Sequence, residues 1–377
     1  MKERPRFIGS EIYRKSTYGA RHPLGIPRVS TVIDLTRALG WLPDEVYIDS
    51  PRATPKQLAR FHDIEYIEAV REVERSQRAP PEVRRRFNLG CNGNPVFGEI
   101  FRRPATACGG SILAGCLLGA PGAVYHPAGG THHGRRGRAS GFCFFNDPVL
   151  AILSLLDRGV GRVLYLDVDA HHGDGVQDAF HDDDRVFTVS VHEAGRWPMS
   201  EARNPARPPG AASDRAGGSA RNLPVPAGFN DSELDFVLQA AILPLAEDFA
   251  PEAVVLQCGA DALEDDPMSR LSLSNRALWR VAAAARRLAP RVLVLGGGGY
   301  NPWSVARCWT GVWGTLNGFE IPARLPARAE AVLRALTWRH SRGRNPPEDW
   351  FTTLADRPRP GPVRAEVRAL AAAVLAP

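Results

Sequence analysis

Lysine is nearly missing from this 377-residue sequence. Among 47 basic residues only Lys2, Lys15 and Lys56 are lysine, and the arginines that make up the rest are scattered, so the net charge of +6 forms no basic tail. A direct nucleic-acid partner is therefore not expected. The two tight basic clusters are Arg84-Arg85-Arg86, which reads as a solvated face, and Arg135-Arg136-Gly137-Arg138. Cysteine spacing argues against a second class. Cys91, Cys108, Cys116, Cys143, Cys258 and Cys308 form no Cys-x-x-Cys pair and sit in apolar or glycine-rich surroundings. They read as reduced, packed thiols of a cytosolic protein, not as a disulfide frame. No apolar run reaches the length of a signal peptide or a bilayer span, so the expectation is a soluble, cytoplasmic protein without a membrane partner. No internal repeat is visible either.

What is present is ordinary globular material, 44% hydrophobic and 23% charged, in a chain long enough for a deep core. Up to about residue 120 the apolar spacing is helical: a helix over 29–39, another from Thr54-Pro55 toward Glu74, a Gly/Asn/Pro loop over 88–98 and a helix over 104–118. Beyond it come short apolar strands at 123–125, 163–169, 186–192, 253–257 and 292–295, each ending in polar residues or glycine, with helices at 148–156, 232–246 and 275–288 between them. Continuous apolar strands alternating with helices predict a single α/β domain over 1–377, a mostly parallel sheet with helices on both faces. Ligands of such sheets bind at the carboxyl ends of the strands. The stretch 197–220, without periodicity and rich in Pro, Gly and Arg, reads as a loop over that edge, available to shape a pocket or an oligomer contact. Residues 316–377 read as a helical extension.

The run Tyr165 to Gly175 carries the chemistry. If the strand at 163–169 stays extended, Asp167, Asp169 and His171 share a face, with Gly173 and Gly175 turning the chain. An Asp-x-His pair at a strand end suits a divalent cation, and Asp261, just past another strand, is the third candidate ligand. Two carboxylates and one imidazole balance a zinc ion and leave a position for water; iron(II) and cobalt suit the same donors. His132-His133, after Gly129-Gly130, read with Asp167 and Asp174 as oriented imidazoles. Gly296-Gly297-Gly298-Gly299-Tyr300 lacks G-x-G-x-x-G spacing, and Asn301-Pro302 reads as no clear helix start. The glycines are better explained as room for a substrate, with Tyr300 offering a hydroxyl to an oxyanion.

These motifs, with Ala139-Ser140-Gly141-Phe142-Cys143-Phe144-Phe145-Asn146-Asp147, Gln257-Cys258-Gly259-Ala260-Asp261-Ala262, His62-Asp63-x-Glu65-Tyr66-Ile67, Asn94-Pro95-Val96-Phe97 and Ala306-Arg307-Cys308-Trp309, resemble the zinc-dependent histone deacetylase family over about residues 20–315. That superfamily includes bacterial acetoin-utilisation deacetylases and acetylpolyamine amidohydrolases. The resemblance implies the arginase/deacetylase-like fold, and one zinc on Asp169, His171 and Asp261. It implies His133 with Asp174 as general base and acid, His132 with Asp167 as electrostatic support, and Tyr300 polarising the carbonyl. Phe142 and Trp197 are implied as walls of an acyl-lysine channel, Gly130 and Gly298 as its floor, and Arg28 in the cavity behind. Potassium is implied at Asp167, Asp169, His171, Ser190 and Val191, and again near Phe180, Asp183 and Val186. The implied partner is an acylated lysine peptide or protein, or a small acylated amine. Gly93 stands where class I relatives carry an acidic residue that holds a peptide backbone.

Overall fold

The computed structural model describes residues 4–199 and 208–376. Eight strands form one sheet: β1 (Arg6–Gly9), β2 (Tyr47–Asp49), β3 (Gly122–His126), β4 (Val163–Asp167), β5 (Val186–Glu193), β6 (Ala220–Val225), β7 (Ala253–Gln257) and β8 (Arg291–Leu295). Their order is β2-β1-β3-β8-β7-β4-β5-β6, and every pairing is parallel.

Side chains alternate between two buried clusters, as a sheet covered on both sides requires. Leu164, Leu166, Val254, Leu256, Val292 and Val294 enter one, which the helices Val29–Ala38, Asn275–Leu288 and Pro302–Asn317 close. Val163, Tyr165, Val255, Leu293 and Leu295 enter the other, under Ile64–Ser76, Arg102–Leu117 and Asp147–Leu156. With β3, β8, β7 and β4 adjacent, the loops after four successive strands meet at one edge. The motifs of the sequence lie in those loops.

Several expectations need correction. The strand carrying the Asp-x-His pair stops at Asp167, so strict alternation does not place Asp169 and His171; side-chain bonds do, as described below. Gly173 and Gly175 have ordinary negative φ and are needed for space: a Cβ at Gly173 would lie 2.4 Å from Asp167 Oδ2, and one at Gly175 2.4 Å from the His132 carbonyl. The helix begun at Thr54 ends at Leu58, and a second starts after Asp63. Asn301-Pro302 is a helix start after all, since the Asn301 side chain caps Trp303 N and Ser304 N and Pro302 occupies the first turn. Of the loop over 197–220, residues 200–207 lie outside the described residues. Its end is strand β6, and Gly210 is buried against His192, whose Nε2 is 3.0 Å from the Gly210 carbonyl.

Candidate metal centre and active site

Asp169, His171 and Asp261 come together at the ends of β4 and β7, fully buried, with one donor atom each within 4.8 Å of the others. Backbone amides hold the outer carboxylate oxygens: Gly298 N donates to Asp169 Oδ2 at 2.7 Å and Ala170 N to Asp261 Oδ1 at 3.0 Å. The inner oxygens converge on His171 Nδ1, 3.2 Å from Asp169 Oδ1 and 2.9 Å from Asp261 Oδ2. Two buried carboxylates against one imidazole demand positive charge at their centre. Burial alone would push an imidazolium down, yet bonds to the two aspartates carry His171 up to about 10. The donors, two oxygens and a nitrogen, fit a divalent cation such as zinc.

The histidine pair stands beside this cluster in two separate dyads. His132 Nδ1 lies 2.8 Å from Asp167 Oδ2, which also accepts from the Tyr165 hydroxyl at 2.8 Å. His133 Nδ1 lies 2.6 Å from Asp174 Oδ1. The other Asp174 oxygen is taken by Arg135, which also binds Asp178, so Asp174 is partly neutralised before it meets its histidine. The two rings consequently part. Burial disfavours His132 as a cation, but Asp167 and Asp169 overcome it and raise the ring to about 9. Burial and the neighbouring His132 charge lower His133 to about 3. One imidazole carries charge and the other is a free base, with Nδ1 donating to Asp174 and Nε2 available.

Tyr300 lines both of the cavities that meet here. Its backbone N donates to Asp266 Oδ2 at 2.6 Å, and burial keeps the phenol far above its ordinary range, so it remains a donor. The inner cavity is narrow, about 60 Å³, and reaches Arg28, Gly130 and Gly298; Arg28 Nη1 donates to the Gly297 carbonyl at 2.8 Å. The outer one, about 530 Å³, is the mouth, lined by Asn88, Asn92, Gly93, Arg138, Phe142, Trp197 and Met268 among others. Phe142 is held in a left-handed conformation, φ 68°, by Asn94 Oδ1 on its N–H and the Tyr18 hydroxyl on its carbonyl. An aromatic residue rarely accepts that backbone without such ties. Gly93 is glycine because a Cβ there would lie 2.5 Å from the Phe142 ring.

The comparisons with known proteins agree with this geometry. The model of the histone deacetylase domain matches residues 22–316. The chain belongs to the histone deacetylase family. The acetoin utilization protein AcuC of Bacillus subtilis is 32% identical over 335 residues, covering 85% of this chain and 84% of that protein. A putative histone deacetylase 2 of Caenorhabditis elegans is 34% identical over 82% of this chain but only 61% of its own length, and human histone deacetylase 1 is 34% identical over 64% of its length. The crystal structure of an HDAC homolog from Aquifex aeolicus superimposes with a TM-score of 0.91 at 35% identity, over 99% of this chain and 100% of that one.

Four supporting residues were given no role from the sequence, although His62, Asp147 and Gln257 stand in motifs that carry the family resemblance. Asp147 accepts from the N–H groups of Gly130 and Thr131 and from the Ser111 hydroxyl, ordering the glycine loop before the histidines. Gln257 Nε2 donates to the Gly130 carbonyl at 2.8 Å, and Asp266 holds Tyr300. His62 spans the carbonyls of Arg135 and Arg136 and the Asn146 N–H. Of the residues considered for potassium, Ser190 pairs in register with Asp167, and its Oγ lies 2.9 Å from His192 Nδ1. The Phe180 carbonyl, in the other group, already accepts from Asp183 N and Ser219 Oγ, each at 3.1 Å.

Proposed function

We propose that this chain hydrolyses an acyl amide, with N6-acetyl-lysine of a peptide or protein as substrate, releasing acetate and the free amine. The observation that carries the reading is the pair of dyads with divergent proton affinities beside an Asp-His-Asp cluster, with Tyr300 lining the same cavity. Asp169, His171 and Asp261 would hold a zinc ion, which would supply Lewis-acid polarisation of the acyl carbonyl and of water. His133 takes the water's proton at Nε2 and returns it to the departing amine, while Asp174 fixes its tautomer. The charged His132 offsets negative charge that builds in the transition state, and the Tyr300 hydroxyl donates to the oxyanion. Phe142 and Trp197 flank an uncharged acyl-lysine stem.

The mouth favours acyl-lysine over an acetylated polyamine. Among the described residues that line it there is no aspartate or glutamate, and Arg138 is there. A polycation would find no partner and one repulsive charge. Six unpaired thiols suit the reducing, cytoplasmic setting.

The test is acetate release from an acetyl-lysine peptide and from an acetylated polyamine, with bound zinc, iron and cobalt quantified in the same preparation. Turnover of the peptide, scaling with metal content, is expected. Faster turnover of the polyamine would reassign the substrate, and full metal occupancy with no turnover of either would leave an acyl-lysine binder.

A further inference from the structure

The arginine cluster beside the histidine pair splits in the folded chain. Arg135 turns inward to Asp174 and Asp178, and Arg136 lies over the Phe61 ring at 5.3 Å. Arg138 is exposed and lines the mouth. Its neighbour Ala139 donates its N–H to the Phe87 carbonyl at 3.0 Å and accepts from Asn88 Nδ2 at 2.9 Å, which fastens this segment to the end of the helix Pro81–Phe87. Asn88 also lines the mouth, and Arg84 and Arg85 precede it by four and three residues, the spacing of one helical face. Both are exposed. Two independent chain segments thus bring arginine to this region: Arg138 in the lining of the mouth itself, and Arg84 and Arg85 in the last turn of the helix whose cap, Asn88, lines it.

None of the three has an ion-pair partner among the described residues, whereas most arginines nearby do. Arg86 pairs with Glu65, Arg71 with Glu68 and Arg75 with Glu72. Two acids of the same segments form no ion pair among the described residues: Glu82, in the first turn of the same helix, and Asp63, whose Oδ2 faces Gly137. Neither lines the mouth, whose lining also includes the uncharged Asn88, Asn92 and Ser140. A helix C-terminus tolerates arginine, which accounts for Arg84 and Arg85 being there, but it does not account for Arg138.

We infer that Arg138, Arg84 and Arg85 form a basic collar that selects acyl-lysines whose neighbouring residues are acidic. The inference rests on the amide-hydrolase reading above and names the substrates of that site. The acyl-lysine stem fills the channel, and aspartate or glutamate beside it in the substrate meets the collar. Three exposed charges act mainly on encounter and orientation, so the effect is read in kcat/KM and fades with salt. They are few for a duplex, whose binders typically neutralise about 6–10 phosphates.

Three peptides that differ only in the residues flanking one acetyl-lysine, Asp, Asn or Lys, decide the matter on the metal-loaded full chain. At low ionic strength the order of kcat/KM is Asp over Asn over Lys, with roughly tenfold between the extremes, closing toward equality at about 0.5 M salt. Changing Arg84, Arg85 and Arg138 together to Glu reverses the order, and Arg138→Gln alone narrows the span. A low-salt span within twofold overturns the collar, as does an unaltered span in the triple variant. If the Asn peptide is hydrolysed and the flanks are immaterial, only the collar falls. If no peptide is hydrolysed, the amide-hydrolase reading falls and takes the collar with it. A short DNA duplex that inhibits all three peptides alike would give the collar to nucleic acid and overturn the inference.

Discussion

A single methyl group at Gly298 would test how tightly the metal ligands are held. A Cβ there would lie 2.0 Å from Asp261 Oδ2, and the same residue's N–H fixes Asp169. Gly298→Ala is expected to weaken zinc binding roughly 10–100-fold, as displaced supporting contacts do, measured by competition with a chromophoric chelator. Unchanged affinity would mean that Asp261 does not face this glycine. Tyr300→Phe should leave metal content intact and cost about 10² to 10³ in kcat, the usual effect of losing one oxyanion donor, with KM little altered. The Asp-His-Asp cluster and both His-Asp pairings were legible because Asp and His at strand ends have few other reasons to cluster. The roles of Asp147, Gln257, Asp266 and His62 were not, although all but Asp266 stand in motifs that carry the family resemblance, because those roles exist only through partners such as Gly130, Tyr300 and Asn146 that the chain brings near by folding.

At the scale of elements, legibility followed burial. The strands that were read directly, at 123–125, 163–169, 186–192, 253–257 and 292–295, correspond to the apolar centre of the sheet. Those that were not are short or broken: β1 is four residues in a charged segment, while the edge strands β2 and β6 carry Asp49, and Asn222 with Pro224. Edge strands need only one apolar face and tolerate proline, so their pattern is weak. The helix Pro302–Asn317 was hidden by its cap, since Asn-Pro reads equally as a turn. That cap adjoins Tyr300 and also ties Asn301 Nδ2 to the Asp265 carbonyl at 3.2 Å. Asn301→Ala is expected to cost about 1–2 kcal/mol in urea unfolding, and Asn301→Ser, which keeps a cap acceptor, about half of that. Equal losses in the two variants would show that the Asp265 contact matters more than the cap.

The whole molecule is held together by buried neutral histidines as well as by its apolar layers. His62 Nδ1 donates to the carbonyls of Arg135 and Arg136, at 3.0 and 3.1 Å, while Nε2 accepts the Asn146 N–H at 2.9 Å. Only the neutral ring satisfies all three groups; a proton on Nε2 would face a donor. Burial, opposed by the two carbonyls, lowers His62 to about 4, against about 6.5 in the unfolded chain. His192 is arranged alike, Nε2 on the Gly210 carbonyl and Nδ1 against Ser190 Oγ, and burial lowers it as well. A depressed pKa means that the unfolded chain binds the proton first. The stabilisation from His62 is therefore complete above about pH 6.5 and drains away as the pH falls toward 4, by about 1.4 kcal/mol per unit and about 3 kcal/mol in all. Loss of metal in acid would also destabilise the fold, so the quantity to measure is a difference. His62→Gln, which keeps a donor and an acceptor but cannot titrate, should show a pH slope of unfolding free energy shallower than the parent by about 1.4 kcal/mol per unit between pH 6 and 4.5. Parallel slopes would mean that His62 is already charged in the folded chain.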